Sequence, residues 1–148
     1  MGLTLEMPIY QGTEGGMHVL RRDWFASGAL PDGRSFAIAV KEGFVFDGCS
    51  IPRLLWRLCG HPMEVPRVAA ALAHDWLYAA HVCKRAEADL VFKVLCKMVE
   101  LSAVRIAVEY SALKWFGGAA WRSHGPNDEA FARARGAYWT GKQKGETK

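Results

Sequence analysis

The sequence predicts an α+β fold, in which a small N-terminal antiparallel sheet is followed by four or five helices with a helix hairpin at the centre. Strand-like patterns dominate the chain up to about residue 50, and helical patterns dominate after that point. The 148 residues, 51% of them hydrophobic, suit one domain with one core. We therefore expect a single domain over residues 1–148, with an uncertain N-terminal segment (1–15) and a flexible basic tail (141–148).

Three stretches in the first third of the chain predict the strands. "HVLRRDWFA" (18–26) has β-branched and aromatic residues in partial alternation, and "RSFAIAV" (34–40) and "GFVF" (43–46) have the same character. Between the first two lies "PDG" (31–33), a typical turn sequence. Neighbouring strands joined by short turns predict an antiparallel meander.

The remainder of the chain predicts helices. Ser50 and Ser102 are placed to cap two of them, Gly60 and Pro66 separate the first from the second, and Gly117-Gly118 end the fourth. Two consecutive helices are joined by a short link, and helices connected in this way usually pack antiparallel as a hairpin. The predicted helices cover residues 52–60, about 66–81, 84–101, 103 to about 116, and 127–135.

Composition excludes several classes of protein. The chain carries 19 Lys and Arg against 15 Asp and Glu, and the basic residues are spread along it, which argues against a nucleic-acid-binding surface. No apolar run approaches the roughly 20 residues of a membrane span. The four cysteines include no C-x-x-C pair, so a zinc ribbon and a thioredoxin-like site are excluded.

The polar residues of two predicted helices, and of the loop ahead of them, suggest a site. His74 and Asp75 interrupt an Ala-rich helix that should be buried, and Tyr78 shares a face with His74 four residues earlier. Asp89, set among Ala and apolar residues, lies where the next helix of the hairpin could meet His74. Asp47 ends a predicted strand just before a helix, in a position that often carries site residues. We expect these five residues to converge.

Three chemical interpretations of this cluster remain open. Asp47, Asp75 and His74 could bind a divalent metal, calcium or zinc, with free coordination positions. Alternatively, His74 could be a general base on water, oriented by Asp89 and Tyr78. In the third interpretation the same residues form a buried hydrogen-bond network that only fixes the fold.

The motifs "GFVFDGCSIPRLLW", "AHDWLY" and "RAEADLVF" resemble a family of small phage and prophage proteins of unknown function. The pattern F-x-x-D-x-x-S-I-P, H-D-x-L-Y and A-D-x-x-F is found at Phe44, Asp47, Ser50, Ile51, Pro52, His74, Asp75, Leu77, Tyr78, Ala88, Asp89 and Phe92. The resemblance covers roughly residues 35–121. It implies a phage or prophage origin, presence in the host cytoplasm during infection, and incorporation into the virion as an alternative, but no particular activity.

The shorter pattern H-D-x-x-Y followed by a helical Asp is similar to secreted and parvoviral phospholipase A-two. This resemblance implies that His74 is the base, Asp75 a calcium ligand, and Tyr78 and Asp89 the residues that orient His74. The chain departs from that family because it lacks the glycine-rich Y-x-G-x-G calcium loop and has only "EGFVFDGCS" upstream.

Two functions follow, and the sequence does not decide between them. In the first, the protein is a metal-assisted hydrolase of an ester or amide, with His74 as base or ligand. In the second, it is a non-enzymatic virion, tail or assembly component, which docks to other phage structural proteins through the aromatic C-terminal region "WFGGAAW" (115–121). For these aromatic residues we favour a place in the core over an exposed one.

Overall fold

In the part of the chain that the structure describes, seven strands in two antiparallel sheets form the β part of the protein. The computed structural model describes residues 3–13, 17–46, 67–123 and 126–142. Predictions for Asp47, Ser50 and the helix at 52–60 therefore lie outside the described residues. The strands are β1 (Thr4–Leu5), β2 (Tyr10–Gly12), β3 (His18–Leu20), β4 (Trp24–Ala29), β5 (Arg34–Val40), β6 (Val45–Phe46) and β7 (Gly136–Lys142).

The larger sheet has the order β1-β4-β5-β7 and the smaller one the order β2-β3-β6. In the larger sheet, alternation along β4 and β5 buries Trp24, Ala26, Phe36 and Ile38. The turn between these strands uses Gly33 in the left-handed region, at φ 88°. The Asp32 carboxylate accepts hydrogen bonds from the Arg34 backbone and side chain, which lower its pKa.

Four helices occupy the described part of the chain after the first six strands. They are α1 (Val68–Ala80), α2 (Arg85–Met98), α3 (Ala103–Ser123) and α4 (Pro126–Arg133). Among the residues of α1, only Asp75 is not fully buried, so this Ala-rich helix lies in the centre of the protein. Small side chains allow the neighbouring elements to approach α1 closely on several sides. None of the described helices is long and apolar enough to cross a membrane.

The predicted fold class is wrong in two respects. First, the chain does not end in helices, because β7 pairs with β5 along seven residues and completes the larger sheet. Second, the N-terminal strands do not form one meander. The stretch at 18–26 divides at Asp23 into β3 and β4, which belong to different sheets. Asp23 lies between these two strands, and its carboxylate accepts a hydrogen bond from the Glu42 backbone N–H. The first two residues of the predicted tail (141–148) belong to β7, and the others lie outside the described residues.

Close packing between β7 and α1 provides a test of this topology. A Cβ atom on Gly136 would lie 2.5 Å from the Ala39 carbonyl oxygen and 2.6 Å from the Trp76 ring. We expect Gly136→Ala to lower the free energy of unfolding by about 1–3 kcal/mol, the usual cost of overpacking. Urea denaturation measures this change. The matched control is Gly12→Ala in β2, where the new Cβ would lie 3.9 Å from the His18 ring. Equal stability of the two variants would contradict the placement of β7.

Candidate functional site

One buried carboxylate oxygen accepts two hydrogen bonds from α1. The Asp89 Oδ1 atom lies 2.8 Å from the His74 Nε2 atom and 2.7 Å from the Tyr78 hydroxyl. Exposure is 0% for His74, 2% for Tyr78 and 4% for Asp89. Because all three groups are shielded from water, these hydrogen bonds are stronger than they would be at the surface.

Helical periodicity and antiparallel packing bring the three side chains together. His74 and Tyr78 are four residues apart, so they share one face of α1, and their rings are 4.0 Å apart. On α2, Asp89 contacts both, and Phe92, one turn later, packs its ring 5.4 Å from the His74 ring. The first turn of α2 carries Ala88, a buried residue whose small side chain lets the two helices approach closely.

The hydrogen bond with Asp89 defines the tautomer of His74. An ionised carboxylate only accepts hydrogen bonds, so the Nε2 atom carries the proton that it donates to Asp89. In a neutral imidazole the Nδ1 atom is then an acceptor with a free lone pair. This Nδ1 atom is buried and has no hydrogen-bond partner among the described residues. A buried imidazole oriented by a carboxylate, with its second nitrogen unsatisfied, has the arrangement of a general base.

Tyr78, on α1, donates a hydrogen bond to Asp89 and packs against α3. Burial, together with the hydrogen bond to Asp89, raises the pKa of Tyr78 well above its ordinary value. Helix α3 reaches the hydroxyl through Gly117, where a Cβ atom would lie 2.5 Å from the Tyr78 oxygen. The Trp121 ring packs edge-on against the Tyr78 ring at 5.1 Å. Tyr78 therefore stays protonated and donates its hydrogen bond to Asp89.

The predicted cluster is brought together in part. His74, Tyr78 and Asp89 meet, whereas Asp75 is half-buried and takes no part in the hydrogen bonds that join them. Asp75 has an interaction of its own elsewhere, and Asp47 lies outside the described residues. Within the described ranges, no group of three or more His, Cys, Asp or Glu side chains could hold a metal ion. The metal set of Asp47, Asp75 and His74 therefore stays a prediction.

A buried ion pair between Arg67 and Glu109 was not predicted. Both side chains have 0% exposure, and the Arg67 guanidinium donates to the Glu109 carboxylate. The signal was present in the periodicity, because Glu109 follows the buried Ile106 by three residues and precedes the buried Leu113 by four. This pair ties the start of α1 to the middle of α3.

The aromatic segment at 115–121 lies only partly in the core. Trp121 is half-buried against Tyr78, but Trp115 is 82% exposed and Phe116 is 54% exposed. The expectation that these aromatic residues close the core is therefore wrong for the first two. Their exposure leaves an apolar patch on the surface of α3.

A family model described as "Protein of unknown function (DUF1353)" matches residues 29–113 of the chain. The matched stretch runs from the last residue of β4 into α3, and it includes His74, Tyr78 and Asp89. No curated protein and no solved structure matches the chain.

The raised pKa of Tyr78 predicts how stability changes in alkaline solution. An unfolded tyrosine ionises near pH 10, whereas the buried one keeps its proton, so the free energy of unfolding falls as the pH rises above about 10. In Tyr78→Phe this fall should be less steep, by up to about 1.4 kcal/mol per pH unit. Urea denaturation between about pH 8 and pH 11 measures both slopes.

Tyr138 provides the comparison, because burial also raises its pKa. Tyr138→Phe should flatten the same pH dependence, and the double variant should combine both effects. A Tyr78→Phe slope equal to that of the wild type would contradict the buried, protonated state of Tyr78.

Proposed function

The chain belongs to the DUF1353 family of proteins of unknown function, and we propose that it is a hydrolase of ester or amide bonds in which His74 is the general base. The observation that most supports this proposal is the state of the imidazole. Its Nε2 atom is held by Asp89 at 2.8 Å, while its Nδ1 atom is buried and without a hydrogen-bond partner in the described part of the chain. A buried polar nitrogen normally has a partner, and a water molecule or substrate would supply it.

The proposed reaction moves one proton through His74. The Nδ1 atom takes a proton from water as the water oxygen forms a bond to the carbonyl carbon of the substrate. The Asp89 carboxylate stabilises the imidazolium that results, because the charge lies directly beside it. When the tetrahedral intermediate breaks its bond to the leaving group, Nδ1 returns the proton to the departing oxygen or nitrogen. Tyr78 holds Asp89 in place throughout through its 2.7 Å hydrogen bond.

A divalent metal at Asp47, Asp75 and His74 is a separate proposal. Within the described residues no group of three or more His, Cys, Asp or Glu side chains could hold a metal ion, and the Nε2 atom of His74 is already bonded to Asp89. Asp47 lies outside the described residues. No step of the reaction above therefore depends on a metal.

A second candidate function is supported by the surface of α3. Phage or prophage origin, suggested by the sequence motifs, is compatible with a virion, tail or assembly component. Trp115 and Phe116 on the exposed side of α3 are a suitable docking surface for such a protein. In this second function, His74, Tyr78 and Asp89 would stabilise the hairpin of α1 and α2 without taking part in a reaction.

Hydrolysis of simple aryl esters and anilides tests the first function. We expect His74→Gln and Asp89→Asn each to lower kcat/KM by about 10²–10⁴-fold, the usual contribution of general base catalysis. The first variant removes the base, and the second weakens the bond that orients it. Release of the chromophoric leaving group measures the rate, and circular dichroism with thermal unfolding checks that each variant is folded.

Two controls separate the base from the other interpretations. Trp115→Ser changes a residue remote from the hydrogen bonds of His74 and should leave the rate unchanged. Asp75→Asn and a chelator should also leave it unchanged, whereas a loss in both would favour the metal. If the folded wild type hydrolyses none of the substrates, or if His74→Gln retains full activity, the proposed hydrolase is wrong.

Copurification with phage particles tests the second function. If α3 is a docking surface, the wild-type protein should remain with particles through a density gradient. Trp115→Ser should then reduce its amount at least about tenfold, because an exposed Trp at an interface typically contributes 2 kcal/mol or more. Asp89→Asn serves as the control and should remain bound while it stays folded. Absence of the wild-type protein from the particles would contradict this function.

A further inference from the structure

Two arginine side chains lie together beside the proposed site. Arg85 is the first residue of α2, and Arg122 is near the end of α3. A Cβ atom on Gly118 would lie 3.4 Å from the Arg85 Nη1 atom and 3.2 Å from the Arg122 Nη1 atom. Both guanidinium groups therefore fill the space beside Gly118 that a side chain at residue 118 would otherwise occupy.

This space is close to the hydrogen-bond network of His74. The preceding residue, Gly117, approaches the Tyr78 hydroxyl, and its Cβ position would be 3.5 Å from the same Arg85 Nη1 atom. Arg85 also acts on Tyr78 electrostatically, because its positive charge opposes the rise in the Tyr78 pKa caused by burial and by Asp89. Gly118 and Arg85 are half-buried and Arg122 is exposed, so a solute could reach this point from solution.

The Tyr78 side chain is a hydrogen-bond partner of Arg85, but it carries no charge that would balance the guanidinium group. Neither Arg85 nor Arg122 forms an ion pair with a carboxylate in the described part of the chain, although Arg34, Arg67, Arg105 and Arg133 do. The nearby Asp89 already accepts two hydrogen bonds at one oxygen. Arginine cannot lose its charge, and two neighbouring cations repel each other. A bound anion would remove this repulsion and accept several N–H donors at once.

We propose that Arg85 and Arg122 form an anion-binding site that holds a carboxylate or phosphate group of the substrate on which His74 acts. The substrate is then an anionic ester or amide. Its charged group lies against the two guanidinium groups, and its scissile bond reaches the His74 Nδ1 atom. The assignment of the bound anion as a substrate rests on the proposed hydrolase function, whereas anion binding at Arg85 and Arg122 does not.

Calorimetric titration with inorganic phosphate tests the binding site without any reaction. We expect the wild type to bind phosphate, and Arg85→Gln and Arg122→Gln each to weaken this binding about tenfold or more, as expected for the loss of a charged hydrogen bond. Arg21→Gln is the matched control, because Arg21 is exposed in the segment between β3 and β4 and the same charge is lost. If the wild type binds no phosphate, or if all three variants bind it as the wild type does, the site is overturned.

A pair of aryl esters that differ only in a terminal carboxylate connects the site with catalysis. Arg122→Gln should raise KM about tenfold or more for the charged ester and leave kcat and the KM of the neutral ester unchanged. An equal effect on both esters would overturn the substrate assignment. Phosphate binding that depends on Arg85 and Arg122 in a protein without hydrolytic activity would refute the hydrolase and leave the anion site standing. His74-dependent hydrolysis without phosphate binding would refute the anion site and leave the hydrolase standing.

Discussion

The buried carboxylate of Asp89 is the group on which the centre of the protein depends. It accepts hydrogen bonds from His74 and Tyr78, which belong to the neighbouring helix, and thereby joins α1 to α2 by polar contacts as well as by packing. A carboxylate buried without partners would be strongly destabilising, so the two donors and the acceptor require one another. The same carboxylate fixes the tautomer of His74, and burial together with the hydrogen bond to this carboxylate raises the pKa of Tyr78, so its hydroxyl stays protonated.

Helix α1 needs such directional contacts because its apolar surface provides few. Eight of the ten residues from Val68 to Leu77 are Val, Ala, Leu or Trp. Packing of apolar and mostly small side chains tolerates small shifts along the helix axis. Near its start, the Arg67–Glu109 ion pair ties it to α3, and about two to three turns further on, Asp89 ties it to α2. Polar pairs at two separate points leave one register in which both are satisfied.

The sequence predicted the local features of the site better than the topology around it. The inward direction of Asp89 followed from Ala88, Leu90 and Val91 beside it, and the pairing with His74 followed from the short link between the helices. The segment that became β7 has glycines near both ends and pairs with β5 about a hundred residues earlier, and no local pattern encodes such a partner. The Arg67–Glu109 pair was missed for a related reason: periodicity places Glu109 on the buried face of its helix, but its partner lies 42 residues earlier in the chain.

Catalysis and a purely structural role differ at a single atom of this network. A purely structural role needs only the hydrogen bonds at the Asp89 Oδ1 atom, and these bonds are the same in a catalytic role. For a structural role, a side chain at position 74 with no further polar atom would be more stable. His74 instead places its Nδ1 atom in a buried position without a hydrogen-bond partner among the described residues, which costs stability and has no benefit for packing. Strain of this kind is common where a group must meet a reactant. The guanidinium groups of Arg85 and Arg122, which meet at Gly118 without an ion pair to a carboxylate in the described part of the chain, add a second feature that is useful for binding. In the proposed function, one anionic substrate with a polar group at His74 would meet both features.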